Sequence, residues 1–538
     1  MPARKDAWFL IAVGGGFIAV MMLPTLWAFS ASGPETVYGG FLFNPIDGYS
    51  YLAKMQAGYQ GAWRYSLPYT LEDGGGAYLF LYYILLGHLA RLLALPPVSV
   101  FHLARLAGAA LMILALWRFF STIFLEPAWR RLAFALALFA AGLGWLGVAV
   151  GILTADLWVA EAYPFLSAYA NPHFPLGLAL LAWLLTPFPA KITTGNRAWT
   201  GWKGVLTLLA GLALAIVLPF GLVVVLAVLA GLAVWDIFQP NGLLREDWTA
   251  GQKPGNRLAR SREFRRLLLV LAGGVMVLVY DQWVIASDPF FRGWNAQNLT
   301  LTPPWWDVAL SFAPVLLLAI PGGWQAARSK RPERRVLLVW AVLGLLLVYL
   351  PFGLQRRFFT GLMIPLAGLA ALGIQLLSTK IGGRRTFLVA ALLFLLALPT
   401  TLVNLLVGAY GIQTRDPLLF VRADERRAFE WLAEHTPGGA GVLAGPETGL
   451  QLPAFSGRRV VYGHPFETVA ATGQKALVER LFGGIYRPEE LQVLSRVDYV
   501  YYGPRERLLG SPAFLQGLQL AWRSGEVEIY RTTGSQPP

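Results

Sequence analysis

The sequence predicts a polytopic α-helical membrane protein of about eleven spans, thirteen at most, with a small α/β domain at its C-terminal end. Three observations lead there. The 538 residues are 56% hydrophobic and only 14% charged, whereas soluble domains carry roughly a quarter charged residues. Apolar stretches long enough to cross a bilayer recur from residue 7 to residue 407. Between them, Lys and Arg collect in alternate loops.

The stretches fall near residues 7–29, 99–121, 132–153, 173–188, 204–218, 220–236, 267–286, 307–326, 336–350, 359–378 and 386–407. The first follows Arg4 and Lys5 and is longer than the apolar core of a signal peptide, so an uncleaved first span is expected. Arg130 and Arg131, Lys191 to Lys203, Arg245 to Arg266, Arg328 to Arg335, and Lys380 to Arg385 then share one side if the N-terminus is cytoplasmic. The opposite loops are 30–98, 154–172, 287–306 and 351–358, poorer in Lys and Arg. An odd number of spans sends the C-terminus outside. Residues 77–94 are apolar but break the alternation as a span; they predict a helix lying along the outer boundary, with His88 and Arg91 on one face. Pro219 and Gly221 suit a tight turn between two short spans.

The net charge of +14 suggests nucleic acid in a soluble protein. Here the basic residues sit in loops between spans, and topology accounts for them without nucleic acid. The absence of cysteine excludes disulfides and thiolate metal sites.

After residue 408 the composition turns charged and rich in turn residues. Residues 424–435 and 475–482 predict helices, the first with Phe429 and Leu432 on its apolar side. Residues 442–445, 458–463, 497–504 and 527–532 predict short strands. The chain therefore divides into a membrane domain, 1–408, with its first outer loop at 30–98, and an extracytoplasmic α/β domain, 409–538.

The chemistry is expected in the outer loops. Residues 43–73, FNPIDGYSYLAKMQAGYQGAWRYSLPYTLED, combine acids with aromatics that favour the membrane–water boundary. Asp47 is the candidate base; the alternative is a solvated loop acid or a helix N-cap. Glu72 and Asp73 precede three glycines, where they suit a sugar or a divalent cation, or form the acidic tip of a mobile loop. The second outer loop carries Asp156, Glu161 and, at the entry to a span, His173; the histidine is either functional or satisfied by a backbone carbonyl. The spacing matches no closed metal-ligand set. Arg356 and Arg357 stand on the side otherwise short of positive charge, where they either clamp a phosphate or snorkel to head groups.

Together with LARLAGAALMILALWRFF, YANPHFPLGLALLAWLL, PFGLQRRFFTGLMIPLAGLAALG and the run AFEWLAEHTPGGAGVLAGPETGLQLPAFSGRRVVYGHPF, these features resemble the GT-C superfamily of membrane glycosyltransferases. That group includes protein mannosyltransferases and aminoarabinose transferases. The resemblance implies transfer of a sugar from a polyprenyl-phosphate donor to a lipid, glycan or protein acceptor at the outer face of the plasma membrane, with inversion. It implies Asp47 as catalytic base, Glu72, Asp73 or Glu161 as second carboxylate or sugar ligand, and Arg356, Arg357 and His173 at the donor phosphate. It further implies a lateral opening for the donor's lipid tail and an outer domain that helps to hold the acceptor. Many relatives carry a second acid directly after the first; this chain has Gly48. No cofactor is expected, although a divalent cation serves some relatives. Two rival expectations are a lipid or solute transporter, including a flippase, and a non-enzymatic assembly protein of the cell envelope. Transport needs polar groups or broken helices at mid-membrane, whereas these acids gather in outer loops.

Overall fold

A computed structural model describes residues 2–72, 74–187, 201–238 and 261–532. The chain packs as two compact units: residues 1–22, 105–280 and 300–407 form one, and residues 23–104, 281–299 and 408–538 form the other.

The first unit is helical. Among the described residues, seven helices of the whole chain are long and apolar enough to cross a membrane, or eight if one bent pair counts as a span. Each predicted apolar stretch is largely helical, with three departures from a simple rod, one of them the break at Leu398 between Gly383–Ala397 and Pro399–Gln413. The stretch at 132–153 is a helix Pro127–Phe139 that breaks before Gly144–Val148. The stretch at 307–326 is two helices, Trp305–Phe312 and Val315–Arg328, bent by 84°. The bend sits at Pro314, which cannot donate to the preceding turn. The helix His173–Leu185 ends three residues earlier than expected.

Several basic residues of the predicted loops are paired within this unit. Asp6 is paired with Arg130 and, at 2.7 Å, with Arg131. Arg335 lies 3.6 Å from Asp236, and Arg266 donates to the carbonyls of Trp183 and Thr186. The basic residues at 191–197 and 245–260 lie outside the described residues. The loops at the other ends are joined likewise: Ala155 N–H donates to Asp307 at 2.9 Å, Gly361 N–H to the Glu161 carbonyl at 2.8 Å, and Thr300 N–H to the Gly353 carbonyl at 2.8 Å.

Small residues set the closest helix approach in this unit. A Cβ on Gly322 would fall 1.8 Å from the Leu369 carbonyl oxygen, and one on Gly373 would fall 2.1 Å from that of Leu318. Without a hydrophobic drive between helices in lipid, such backbone contact supplies the packing. Gly373→Ala is expected to lower stability by about 1–3 kcal/mol through overpacking. Gly15→Ala, inside a helix where nothing lies within 4 Å, should leave the thermal midpoint of the detergent-solubilised chain equal to or above wild type.

The second unit joins the first loop to the C-terminal residues. The end of α1 (Pro2–Ser30) leads into β1 (Thr36–Tyr38), then α2 (Pro45–Tyr59), α3 (Leu81–Leu92) and the start of α4 (Pro97–Ile123). β1 pairs antiparallel with β2 (Phe420–Arg422) in the register Val37 to Val421, a pairing that neither short segment announces by itself. A five-stranded sheet of order β4-β3-β5-β7-β6 follows, made of β3 (Gly441–Leu443), β4 (Arg459–Val460), β5 (Tyr499–Tyr502), β6 (Gln519–Ser524) and β7 (Val527–Arg531). β3 runs parallel to β4 and β5, while β7 runs antiparallel to β5 and β6. The four predicted strands are present in shortened form; β6 is an addition. The predicted helices are Ala423–His435 and Ala471–Phe482.

Alternation along β5 separates two cores. Tyr499 and Tyr501 face Phe429, Leu432 and Tyr69, and Val500 and Tyr502 face Val478, Leu481 and Phe482. Tyr69 comes from the first loop, so the loop contributes to the core of the α/β fold. α2 and α3 pack backbone to backbone: a Cβ on Gly87 would meet the Met55 carbonyl oxygen at 2.0 Å, and one on Gly58 that of Ile84 at 2.2 Å. The predicted helix at 77–94 is thus real, and its packing partner is α2.

Candidate active site

The site in the second unit begins with the sequence Asn-Pro-Ile-Asp. Asn44 takes a left-handed conformation, φ 47° and ψ 59°, which Asn tolerates better than most side chains. Pro45 then opens α2, where its missing N–H matters least. Asp47 is the third residue of the helix and not its cap. A carboxylate in this first turn is favoured by the exposed N–H groups. The Asn44 amide does not cap the backbone; it donates to Asp47 Oδ2 at 2.5 Å. About a third of the Asp47 side chain stays open to solvent.

Residues 47, 50 and 54 follow the helical repeat, so Asp47, Ser50 and Lys54 lie along one side of α2. That side meets the segment 463–468. Thr468 Oγ1 accepts from the N–H groups of Gly463 and His464, at 3.3 and 3.2 Å, and Thr468 N–H returns a bond of 3.0 Å to the His464 carbonyl. The segment is therefore a closed turn held by its own backbone. His464, 2% exposed, places Nε2 at 3.7 Å from Asp47 Oδ1.

One helical turn further along α2, Glu467 enters a buried polar cluster. Lys54 Nζ, wholly buried, lies 2.6 Å from Glu467 Oε1 and 4.5 Å from the Phe80 ring centre. Ser50 donates to the same oxygen at 2.5 Å, and Tyr65 donates to Oε2 at 2.9 Å. Burial pulls the Glu467 carboxyl upward, but Lys54, His464 and the Ser50 hydrogen bond outweigh it and hold the group below its ordinary value. Burial, reinforced by the charge of Glu467, pushes the Tyr65 phenol well up.

A carboxyl that is more acidic in the folded chain than in the unfolded chain stabilises the fold above the unfolded value, near 4.3. That contribution is complete at neutral pH and drains away as the pH falls through the depressed native value. The thermal midpoint of the wild-type chain should therefore drop on acidification below about pH 4.3, and Glu467→Gln should flatten that part of the curve. Melting curves collected from pH 3 to pH 7 check this.

Sequence reasoning did not single out His464, Glu467 or Lys54. The spacing of Asp47, Ser50 and Lys54 was the available signal, since it sets an acid, a hydroxyl and a lysine along one side of a helix. The position after Asp47 is closed: a Cβ on Gly48 would lie 2.4 Å from the Phe41 ring. No second acid fits there.

The other predicted residues are distributed as follows. Glu72 is exposed and lines a cleft of about 600 Å³ with Gly74, Gly75, Asp288 and Phe290. Asp73 lies outside the described residues. In the first unit, Glu161 is buried and pairs with Arg357 at 3.3 Å, while the Arg356 guanidinium sits 4.5 Å from the Trp158 ring centre. The two arginines thus point to different partners within that unit. His173 is buried as the first residue of its helix. Asp156 shapes the second outer loop: it accepts from the N–H groups of Gly142 and Gly144 and from the Thr154 hydroxyl. Burial pushes its carboxyl up.

Among the described residues, no group of three or more His, Asp or Glu side chains is arranged to hold a metal ion. At Asp47 the nearest ring nitrogen belongs to His464, whose other nitrogen already accepts the Phe466 and Glu467 N–H groups, both at 3.1 Å.

The fold, a helical unit with a C-terminal α/β domain, is similar to that of solved oligosaccharyltransferase structures. The particular likeness is to oligosaccharyltransferases of Archaeoglobus fulgidus. The apo form matches with a TM-score of 0.57 and 12% identity, over 99% of this chain and 75% of that one. A complex with Zn and sulfate matches with a TM-score of 0.52 and 13% identity, over 90% and 67%. A complex of the oligosaccharyltransferase AglB with an inhibitory peptide and a dolichol-phosphate matches with a TM-score of 0.50 and 12% identity, over 90% and 69%. At these identities the likeness is one of fold. No protein-family model and no curated protein sequence matches the chain.

Proposed function

We propose that this chain is an inverting glycosyltransferase that moves a sugar from a polyprenyl-phosphate donor to a hydroxyl- or amide-bearing lipid, glycan or protein acceptor. The work is done on the outer side of the plasma membrane, with the N-terminus in the cytoplasm and the C-terminal domain outside. The observation that carries this reading is Asp47, a partly open carboxylate held by Asn44 and faced by a buried histidine. The shared fold supports it, and so does the dolichol-phosphate bound by one protein of that fold.

Asp47 takes the proton of the acceptor as the acceptor atom bonds to the anomeric carbon. The bond from that carbon to the phosphate oxygen breaks, and its electron pair leaves with the phosphate. Attack opposite to the leaving group inverts the anomeric centre. General-base assistance of this kind contributes roughly 10²–10⁴-fold. The charge that develops on the phosphate calls for guanidinium groups. Arg356 and Arg357 are the proposed ligands, and Arg357 then shares its charge between the phosphate and Glu161.

The test is turnover by the full chain in proteoliposomes, using a panel of short-chain polyprenyl-phosphate pentoses and hexoses with lipid, glycan and peptide acceptors. Release of polyprenyl phosphate with an inverted product supports the proposal. Passage of an intact donor across the bilayer supports a flippase instead, and absence of both reactions across the panel defeats the enzyme reading.

A further inference from the structure

We infer that His464 is a positioning residue for Asp47, and that the C-terminal domain thereby supplies part of the catalytic apparatus. This inference rests on the glycosyltransferase reading above.

The backbone decides which ring nitrogen carries the proton. Nδ1 of His464 accepts two N–H groups, from Phe466 and Glu467, both at 3.1 Å. A nitrogen facing two donors uses its lone pair, so the neutral ring holds its proton on Nε2. That Nε2 is buried and has no hydrogen-bond partner among the described residues, while Asp47 Oδ1 stands 3.7 Å away. The separation exceeds a hydrogen bond and is too short to admit a bridging water between the two atoms. A movement of under about 1 Å closes it.

The surroundings make such a movement easy to guide. Asn44 holds Asp47 through Oδ2, and Oδ1 is the oxygen that stands 3.7 Å from His464 Nε2. The 463–468 turn is fixed internally by Thr468 and externally by Glu467 on Ser50 and Lys54. The histidine and the aspartate therefore sit on two segments already clamped together one turn away. The groups facing His464 are Asp47 and Glu467, with the Tyr69 ring at 5.5 Å; Lys54 lies behind Glu467.

The consequence is a division of labour. With Nδ1 occupied, His464 cannot accept the acceptor's proton at that atom, and with Nε2 already protonated it cannot accept it there either. It donates. It keeps Asp47 ionised and turned, as a hydrogen bond to the charged form does, and Asp47 alone removes the proton.

The test has two arms on the full-length chain in detergent. In the first, the protein is labelled with ¹⁵N-histidine; the sequence contains five histidines. The resonances lost in His464→Gln should belong to an Nε2–H tautomer at neutral pH, and the Nε2 signal should shift in Asp47→Asn. An Nδ1–H tautomer, or a signal indifferent to Asp47→Asn, overturns the inference. In the second arm, His464→Leu should lower kcat about 10- to 100-fold and move the acidic limb of the kcat/KM profile upward by about half a pH unit. His464→Gln, whose amide keeps a donor, should recover most of the rate. Equal rates for His464→Leu and wild type, with Asp47→Asn inactive, defeat the role of His464 and leave the transferase reading standing. If no donor of the panel is turned over, the transferase reading fails, and with it this role.

Discussion

Asp47→Asn is expected to reduce sugar transfer by roughly 10²–10⁴-fold while leaving the KM for the donor and the thermal midpoint close to wild type. The substitution keeps the side chain's size and removes only its basicity. Asp47 sits in the first turn of α2, partly open, with Asn44 and His464 as neighbours. A loss of rate without a loss of stability isolates chemistry from folding. The measurement is kcat and KM in proteoliposomes beside a melting curve of the same preparation. Turnover by the Asp47→Asn enzyme at the wild-type rate removes Asp47 from the mechanism. Asp47→Glu serves as the companion variant. It restores the base but lengthens the arm by one carbon, so its rate should fall between the two, because reacting groups tolerate little misplacement.

The largest effect on stability is expected at Lys54. Its ammonium group is wholly buried and bound to Glu467 and Ser50. Lys54→Met leaves the Glu467 carboxylate without its counter-charge in a low-dielectric site. Breaking one half of a buried pair costs about 3–5 kcal/mol, and for a domain of this size the melting point should fall by on the order of 10 °C. The double variant Lys54→Met with Glu467→Leu should recover most of that loss, since a matched apolar pair carries no stranded charge. If Lys54→Met melts like wild type, the cluster does not hold the first loop to the C-terminal domain. The same variant offers a second reading at no extra effort: the 463–468 turn that carries His464 loses its anchor on α2, so transfer should fall together with stability, in contrast to Asp47→Asn.

The two variants bear on different parts of what was legible beforehand. Asp47 was visible because an acid in an aromatic-rich loop next to a span is conspicuous by type alone. Lys54 and Glu467 were not, because they lie 413 residues apart in the chain and each has an ordinary explanation in its own neighbourhood. His464 was hidden in the same way: nothing in its own neighbourhood marks it, and its proposed role comes from the side of α2 set against it. The arginine pair was legible as two adjacent guanidiniums, but not their neighbours within the fold: the short helical turn at 355–359 sets Arg357 beside Glu161 and Arg356 beside Trp158, because successive residues of a turn point in different directions.

By itself the sequence determined the membrane-embedded helices and the α/β character of the last hundred or so residues. These properties are local: hydropathy over a window and strand or helix periodicity each need only near neighbours in the chain. Tertiary structure alone decided that the first loop belongs with the C-terminal fold, through β1 on β2, Tyr69 in the sheet's core and Glu467 on Lys54. It also decided that Asp47 faces a histidine from that fold. The physical reason is that a buried charge is tolerable only with its partner in place, and no window along the chain contains both.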